Sequence, residues 1–192
     1  MEGVCISLAF PFPMNKKIRL IIFSVLLIGG AVLAWSQYSL YKTKQFSPAE
    51  KAIYETAQIN IEVDYCRPKR AGRTVFGELV PYGRWWRTGA NEPTQIELSR
   101  DISFSGKVLK AGLYSIVTIP EAESWTVIFN NRIPDWGTYY YPKDDELRVI
   151  GKIENLPEPI ESFTIDFSEE DGLPTIIFAW DQVKVTLPFK VL

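Results

Sequence analysis

Two hydrophobic patterns follow one another along the chain: one unbroken, then one that alternates. Leu20 to Trp35 reads LIIFSVLLIGGAVLAW with no charge. At about 1.5 Å of rise per residue, some twenty helical residues cover a hydrocarbon core of roughly 30 Å. The run predicts one N-terminal transmembrane helix over 18–38. Beyond it the pattern changes to a period of two. Ile59, Ile61, Val63 and Tyr65 alternate with Asn60, Glu62 and Asp64, which is the signature of a strand with one face buried. Helical periodicity does not return after Tyr54.

Further segments repeat the strand signature, each bounded by turn residues. They include Ile96 to Leu98, Ile102 to Phe104, Lys107 to Leu109, Leu113 to Ile119 and Trp125 to Phe129. Leu147 to Ile153, Phe163 to Phe167, Thr175 to Trp180 and Val183 to Phe189 complete the set. Ser105-Gly106 predicts a hairpin turn, and Asp181-Gln182 reads as another. Nine or ten short strands predict an all-β, antiparallel β-sandwich or jelly roll over 57–192. Residues 39–56 read as a polar tether, with Ser47-Pro48-Ala49-Glu50 offering a short helix start.

The flanks of the apolar run give it a direction. Lys16, Lys17 and Arg19 precede it, so residues 1–17 are expected in the cytoplasm. Trp35, Tyr38 and Tyr41 fall where a far-side aromatic belt belongs. The expected location is an inner membrane with the C-terminal domain in the periplasm. The alternative is a secreted domain, released by cleavage at Ala34-Trp35-Ser36. The bulk of Trp35 and the length of the run argue for an uncleaved span. Met14-Asn15-Lys16-Lys17 would make an ordinary start for such a chain, whereas residues 1–13 carry no basic group.

Composition narrows the chemistry. The 192 residues include no His, which removes His-based triads, His-ligated zinc and histidine pH switching. Two Cys, at positions 5 and 66, supply neither a metal cluster nor a disulfide framework. The formal net charge is −2, so no nucleic-acid partner is expected. No cofactor and no metal are expected either. The acidic runs Asp144-Asp145-Glu146 and Glu169-Glu170-Asp171 lack the alternate spacing of a calcium loop and read as solvated turns.

One stretch stands apart. Between Tyr65 and Glu92 lie Arg67, Lys69, Arg70, Arg73, Arg84 and Arg87, interleaved with Phe76, Tyr82, Trp85 and Trp86 and cut by Gly and Pro. Guanidinium forks suit carboxylate or phosphate oxygens, and aromatic faces suit flat or sugar-like bodies. The candidate ligand-binding residues are Arg67, Arg73, Trp86, Arg87, Asn91, Glu92 and Trp136, the last on a long polar connection, Asn130 to Gly137. A structural alternative has the Arg residues paired with Asp64, Glu78 and Glu92, with an Arg87–Glu92 pair stapling the loop. Gly89 and Asn91 tolerate left-handed backbone, which predicts a shaped turn there. Cys66 reads either as a nucleophile activated by neighbouring cations or as a small buried apolar residue.

Phe76-Gly77-Glu78-Leu79-Val80-Pro81-Tyr82-Gly83 and Trp86-Arg87-Thr88-Gly89-Ala90-Asn91-Glu92 resemble the signature of the domain of unknown function 2911 family. So do Ala111-Gly112-Leu113-Tyr114-Ser115, Thr118-Ile119-Pro120, Trp125 to Asn130 and Trp136-Gly137. The resemblance covers about 59–192. It implies an exported bacterial all-β domain and carries no established activity. Where the family usually has Tyr-Ser-Arg-Pro, this chain has Tyr65-Cys66-Arg67-Pro68.

The functional expectation is a membrane-anchored domain that binds a small anionic or glycan-like ligand outside the cytoplasm. Two other classes remain beside it. One is a hydrolase or lyase that works without His through Glu92 and Arg87. The other is an envelope interaction domain with the Trp-rich loop as its contact.

Overall fold

A computed structural model describes residues 15–192, in two units divided after Lys42. The expected cytoplasmic start before Asn15, and the expectation about Met14, lie outside the described residues.

The first element is helix α1, Lys16–Phe46, in which no residue is buried. It is long and apolar enough to cross a membrane. Its 31 residues correspond to roughly 46 Å, longer than the apolar run alone. The helix ends where Ser47-Pro48 interrupts it, because proline disfavours helical backbone in the residue before it.

The second unit carries ten strands. They are β1 (Ala49–Glu55), β2 (Asn60–Cys66), β3 (Thr94–Leu98), β4 (Ile102–Phe104), β5 (Lys107–Leu109), β6 (Gly112–Pro120), β7 (Ser124–Asn130), β8 (Asp145–Glu170), β9 (Leu173–Pro188) and β10 (Lys190–Val191). Seven form one antiparallel sheet in the order β1-β2-β3-β6-β7-β8-β9, and β10-β4-β5 form a small second sheet. The all-β, sandwich-like architecture expected from the alternation is present.

Period-two patterning places the core. Ile61, Val63 and Tyr65 of β2 face inward, and Val63 sits opposite Ile96 of β3, which sits opposite Tyr114 of β6. Phe104 of the small sheet stacks on Phe129 of β7 at 5.2 Å, so the second sheet covers the first through aromatic contact. The large sheet also curls. Beyond β2, the Arg70 amide donates to the Glu161 carbonyl, and the Phe163 amide donates to the Pro68 carbonyl. The strip after β2 is thereby fastened to β8, making a half-barrel.

Three sequence expectations change. Residues 49–55 are strand β1, paired with β2 from Ala49↔Cys66 to Glu55↔Asn60, rather than a tether with a short helix. The polar look of this stretch reflects an edge strand: Glu50, Lys51, Ile53 and Glu55 are exposed and only Ala52 is buried. The domain therefore starts ahead of Ala57. The segments around Leu147 and Phe163 belong to one strand, β8, with register shifts between Asn155 and Ile160 and between Ile160 and Thr164.

Likewise, Asp181-Gln182 is not a hairpin but lies inside β9, where Asp181 has φ 52°. The buried set passes from Ile176, Phe178 and Trp180 to Val185, Leu187 and Phe189. That change of phase reads as two strands in a sequence and is a kink in one. The true hairpin joining β8 to β9 is Asp171-Gly172, with φ 51° and 73°, as expected for a two-residue turn of the twisted type.

Candidate functional site: a cationic cleft beside the Trp86–Glu92 turn

The basic segment between β2 and β3 is held from below by acids outside it. Asp181 pairs with Arg70 at 3.4 Å, and its other oxygen accepts the Val75 amide at 3.4 Å. Glu161 accepts the Ala71 amide at 3.0 Å. These contacts neutralise Arg70 and leave its neighbours uncompensated. Arg73 donates Nε to the Arg70 carbonyl at 2.8 Å and Nη2 to the Lys69 carbonyl at 2.6 Å. It thus locks the loop while keeping its full charge, because carbonyls supply no counter-ion. Val75, Phe76 and Val80 plug the loop into the core.

The following turn is fixed just as firmly. Trp86 and Thr118 exchange backbone hydrogen bonds at 2.7 and 2.9 Å. Thr88 and Asn91 both adopt left-handed backbone, at φ 56° and 55°. Asn91 was expected there, whereas Thr88 was not, since Thr disfavours positive φ. Its cost is offset locally: Thr88 Oγ1 donates to Thr118 Oγ1 at 3.1 Å, and the Thr88 carbonyl accepts from Thr94 Oγ1 at 2.7 Å. Gly89 has φ 151°, and a Cβ on it would meet the Cys66 carbonyl at 3.0 Å. Only glycine lets the turn approach β2 so closely.

Between these two pieces lies a cleft of about 690 Å³, within the usual range for small-molecule sites. Its floor includes Trp86 and Trp180, stacked at 5.7 Å with 19° between planes, and its sides include Leu79 and Val80. Behind Trp86 and Trp180 stand Phe76, Trp125 and Phe163, with ring centroids 5.0 to 6.3 Å from Trp86. The charged lining residues are Lys69, Arg73 and Arg87, with no carboxylate among them. Arg87 is half-buried and, among the described residues, has neither an ion pair nor a hydrogen bond. Burial pushes its guanidinium pKa down from the ordinary arginine value, the direction expected for a cation removed from water without a partner.

The other candidates are placed differently. Arg67 is occupied: it donates to the Phe163 carbonyl at 3.1 Å and to Thr164 Oγ1 at 2.9 Å, and pairs with Glu50 at 3.3 Å. It closes the half-barrel and does not line the cleft. The Asn91 side-chain amide donates to the Ser47 carbonyl at 3.2 Å, and its backbone carbonyl accepts the Gly137 amide at 3.0 Å. Gly137 thereby brings the connection carrying Trp136 onto the back of the turn, although Trp136 itself is not a lining residue. Glu92 does not meet Arg87. It pairs with Lys44 at 2.5 Å, accepts the Cys66 thiol at 3.4 Å, and faces a separate cleft of about 270 Å³ shared with Glu50 and Asp64. Burial pushes the Glu92 pKa up, but hydrogen bonds from Lys44, its own amide and Cys66 outweigh it and hold the carboxyl below its usual value.

Sequence reasoning passed over Lys69 as a site residue, though it stood in the same basic run. It missed Leu79, Val80 and Trp180 altogether. Trp180 lies about ninety positions downstream of Arg87, and no local pattern links the two.

Cys66 is buried, and burial first, then the Glu92 hydrogen bond and charge, push its thiol pKa up. The neighbouring cations do not activate it, since Arg67 points to β8. In a Cys5→Ser chain, Cys66 is expected to resist an aromatic disulfide reagent at pH 8 until the protein is unfolded. Because the folded pKa is raised, the stability tied to this thiol is present below the ordinary thiol pKa of about 8.5 and declines as pH rises past it. Denaturant melts from pH 7 to 10 on Cys66→Ala beside the parent chain read that contribution.

Comparison with curated proteins and with solved structures gives no significant match. The family described as "Protein of unknown function (DUF2911)" matches residues 47–189, from the residue before Pro48 to the last residue of the β9–β10 link. That range contains the whole of the seven-stranded sheet, the basic loop and the Trp86–Glu92 turn, and the chain belongs to this family.

Proposed function

We propose that the domain binds a small anionic ligand in the cleft lined by Lys69, Arg73 and Arg87, and that α1 holds the domain at a membrane, on its outer face. The observation that carries the binding reading is Arg87, half-buried and, among the described residues, without a counter-ion, in a cleft whose charged lining residues are all basic. An anion there would form the charge-assisted bonds that no described side chain provides. The aromatic and aliphatic floor suits a ligand with an apolar or flat body. An anionic ligand is favoured over a neutral glycan because the side-chain amide of Asn91, the group best suited to reading hydroxyls, is directed to Ser47. A Glu92–Arg87 catalytic pair draws no support from a carboxylate that faces Cys66 and Lys44.

The test uses the full chain in detergent, titrated with inorganic phosphate and with citrate, with tryptophan emission as the signal. Saturable binding that weakens with added salt is expected, as is a loss of roughly tenfold or more in affinity in Arg87→Gln. Glu92→Gln should bind as the parent does. A linear, unsaturable response in the parent chain ends the anion reading. Arg87→Gln should also keep stability within about 1 kcal/mol of the parent, since it removes an unpaired charge and retains most of the stem. For the anchor, the chain should remain with membranes in alkaline carbonate, and protease added to spheroplasts should cut after Ser39. A soluble form beginning near Gln37 would establish cleavage instead.

A further inference from the structure

Building on the anion reading, we infer that the cleft takes a phosphate-ester headgroup with the start of its apolar chain, supplied by an anionic phospholipid of the membrane that α1 enters. Two observations beyond the cationic lining lead there. The first is the composition of the walls. Lys69, Arg73 and Arg87 offer three positive charges with no acid among them, while Leu79, Val80 and Trp86 line the same space. A compact inorganic anion would use the charges and leave the apolar surface wet. An amphiphile with an acidic head and a hydrocarbon neighbour uses both.

The second is covalent reach. Thr43 and Phe46 line the cleft, and Thr43 follows Tyr41 by two positions. Two residues span at most about 7 Å whatever their conformation. Trp35, Tyr38 and Tyr41 are the aromatic residues that would settle at the headgroup level of a spanning helix. The cleft wall is therefore tied to within a few ångströms of the headgroup layer, where phospholipids are by far the most concentrated phosphate esters. Phe46 is 73% exposed, an apolar group at the cleft mouth that an acyl chain could cover.

The experiment takes the full chain in zwitterionic detergent and measures the thermal midpoint and the number of retained lipids by native mass spectrometry. Four additives are compared: phosphatidylglycerol, phosphatidylcholine, sn-glycerol 1-phosphate and inorganic phosphate. Phosphatidylglycerol is expected to raise the midpoint and to be retained as one molecule per chain, with phosphatidylcholine having no effect. Arg87→Gln and, separately, Arg73→Gln should each cut retention by roughly tenfold. Lipid-free melts verify that both variants are folded. The parallel variant Lys16→Gln with Lys17→Gln should retain phosphatidylglycerol as the parent does, because the site is the cleft and not the basic flank of the helix.

Equal stabilisation by glycerol phosphate and by the lipid, both dependent on Arg87, would overturn the lipid source while leaving the anion reading in place. Lipid retention unchanged in both cleft variants would overturn the site. No Arg87-dependent effect from any of the phosphate compounds would overturn both readings together.

Discussion

Replacing Trp180 with alanine is expected to destabilise the domain by about 3–5 kcal/mol, the usual cost of removing a large aromatic side chain from a core. Trp180 is 2% exposed, stacks on Trp86 at 5.7 Å, and meets Phe76 and Phe163 edge-on at 6.2 and 6.0 Å. Its indole N–H donates to the Glu161 carbonyl at 3.3 Å, so truncation also removes the second donor to a carbonyl that keeps only the Arg70 amide, at 2.8 Å. The loss should be lopsided. Trp85 is 41% exposed and, among the described rings, touches only Tyr140, so Trp85→Ala should remain within about 1 kcal/mol of the parent. Denaturant melts of the two variants measure the contrast. A Trp180→Ala chain as stable as Trp85→Ala would mean that the ring cluster is not the support of the cleft floor. Trp180→Phe should recover part of the loss, since it keeps a ring while giving up the N–H.

Gly137→Ala is expected to cost about 2–3 kcal/mol or more, at the upper end of what overpacking produces. A Cβ at this position would stand 2.7 Å from the Asn91 carbonyl and 3.1 Å from the Glu92 carbonyl, with Arg87 Cδ at 3.0 Å. The arginine stem can swing aside, but the two carbonyls belong to a turn already pinned by Thr88, Gly89 and Thr94. Relief must come from displacing the Trp136-Gly137 segment, which breaks the Gly137-to-Asn91 hydrogen bond of 3.0 Å. The same variant should weaken phosphate binding, because the stem of Arg87 is part of what moves. Gly106→Ala is the control. Its added Cβ meets nothing within 4 Å, so its cost comes from backbone conformation alone, about 1 kcal/mol at φ 87°. Equal melts for the two variants would mean that the segment yields freely.

The strands were legible because one buried face imposes alternation, as at Ile61 and Val63 of β2 and Ile96 and Leu98 of β3, while β6, buried at every position from Tyr114 to Thr118, was legible as a short apolar run rich in β-branched residues between turn signals. The hairpin at Ser105-Gly106 was legible for a different reason: turn backbone demands particular residues. β1 was not, because an edge strand buries one residue in seven and its charges look like a linker. Asp181 was misleading for a related reason, since a kink and a turn leave the same break in phase. In the site, the shaped turn around Gly89 and Asn91 could be read locally. The partner of each arginine could not. Arg70, Arg67 and Arg87 sit in one basic run, yet Asp181 pairs with the first, Glu50 with the second, and no carboxylate among the described residues with the third, each decided by long-range pairing of strands.

The kink at Asp181 also sets how the family can vary in length. Side chains in a strand alternate, so losing one residue there would turn Val185 and Leu187 out of the apolar core and bring Lys184 toward it. It would also remove the carboxylate that holds Arg70 and the Val75 amide. Insertions and deletions are therefore expected to be excluded around residue 181, while point changes at exposed Gln182 pass freely. The Asp171-Gly172 hairpin lies just before the start of the same strand and should accept added residues at small entropic cost. Length differences among relatives should then gather at that tip, so that the loop over the cleft keeps its register while the far end of the sheet drifts.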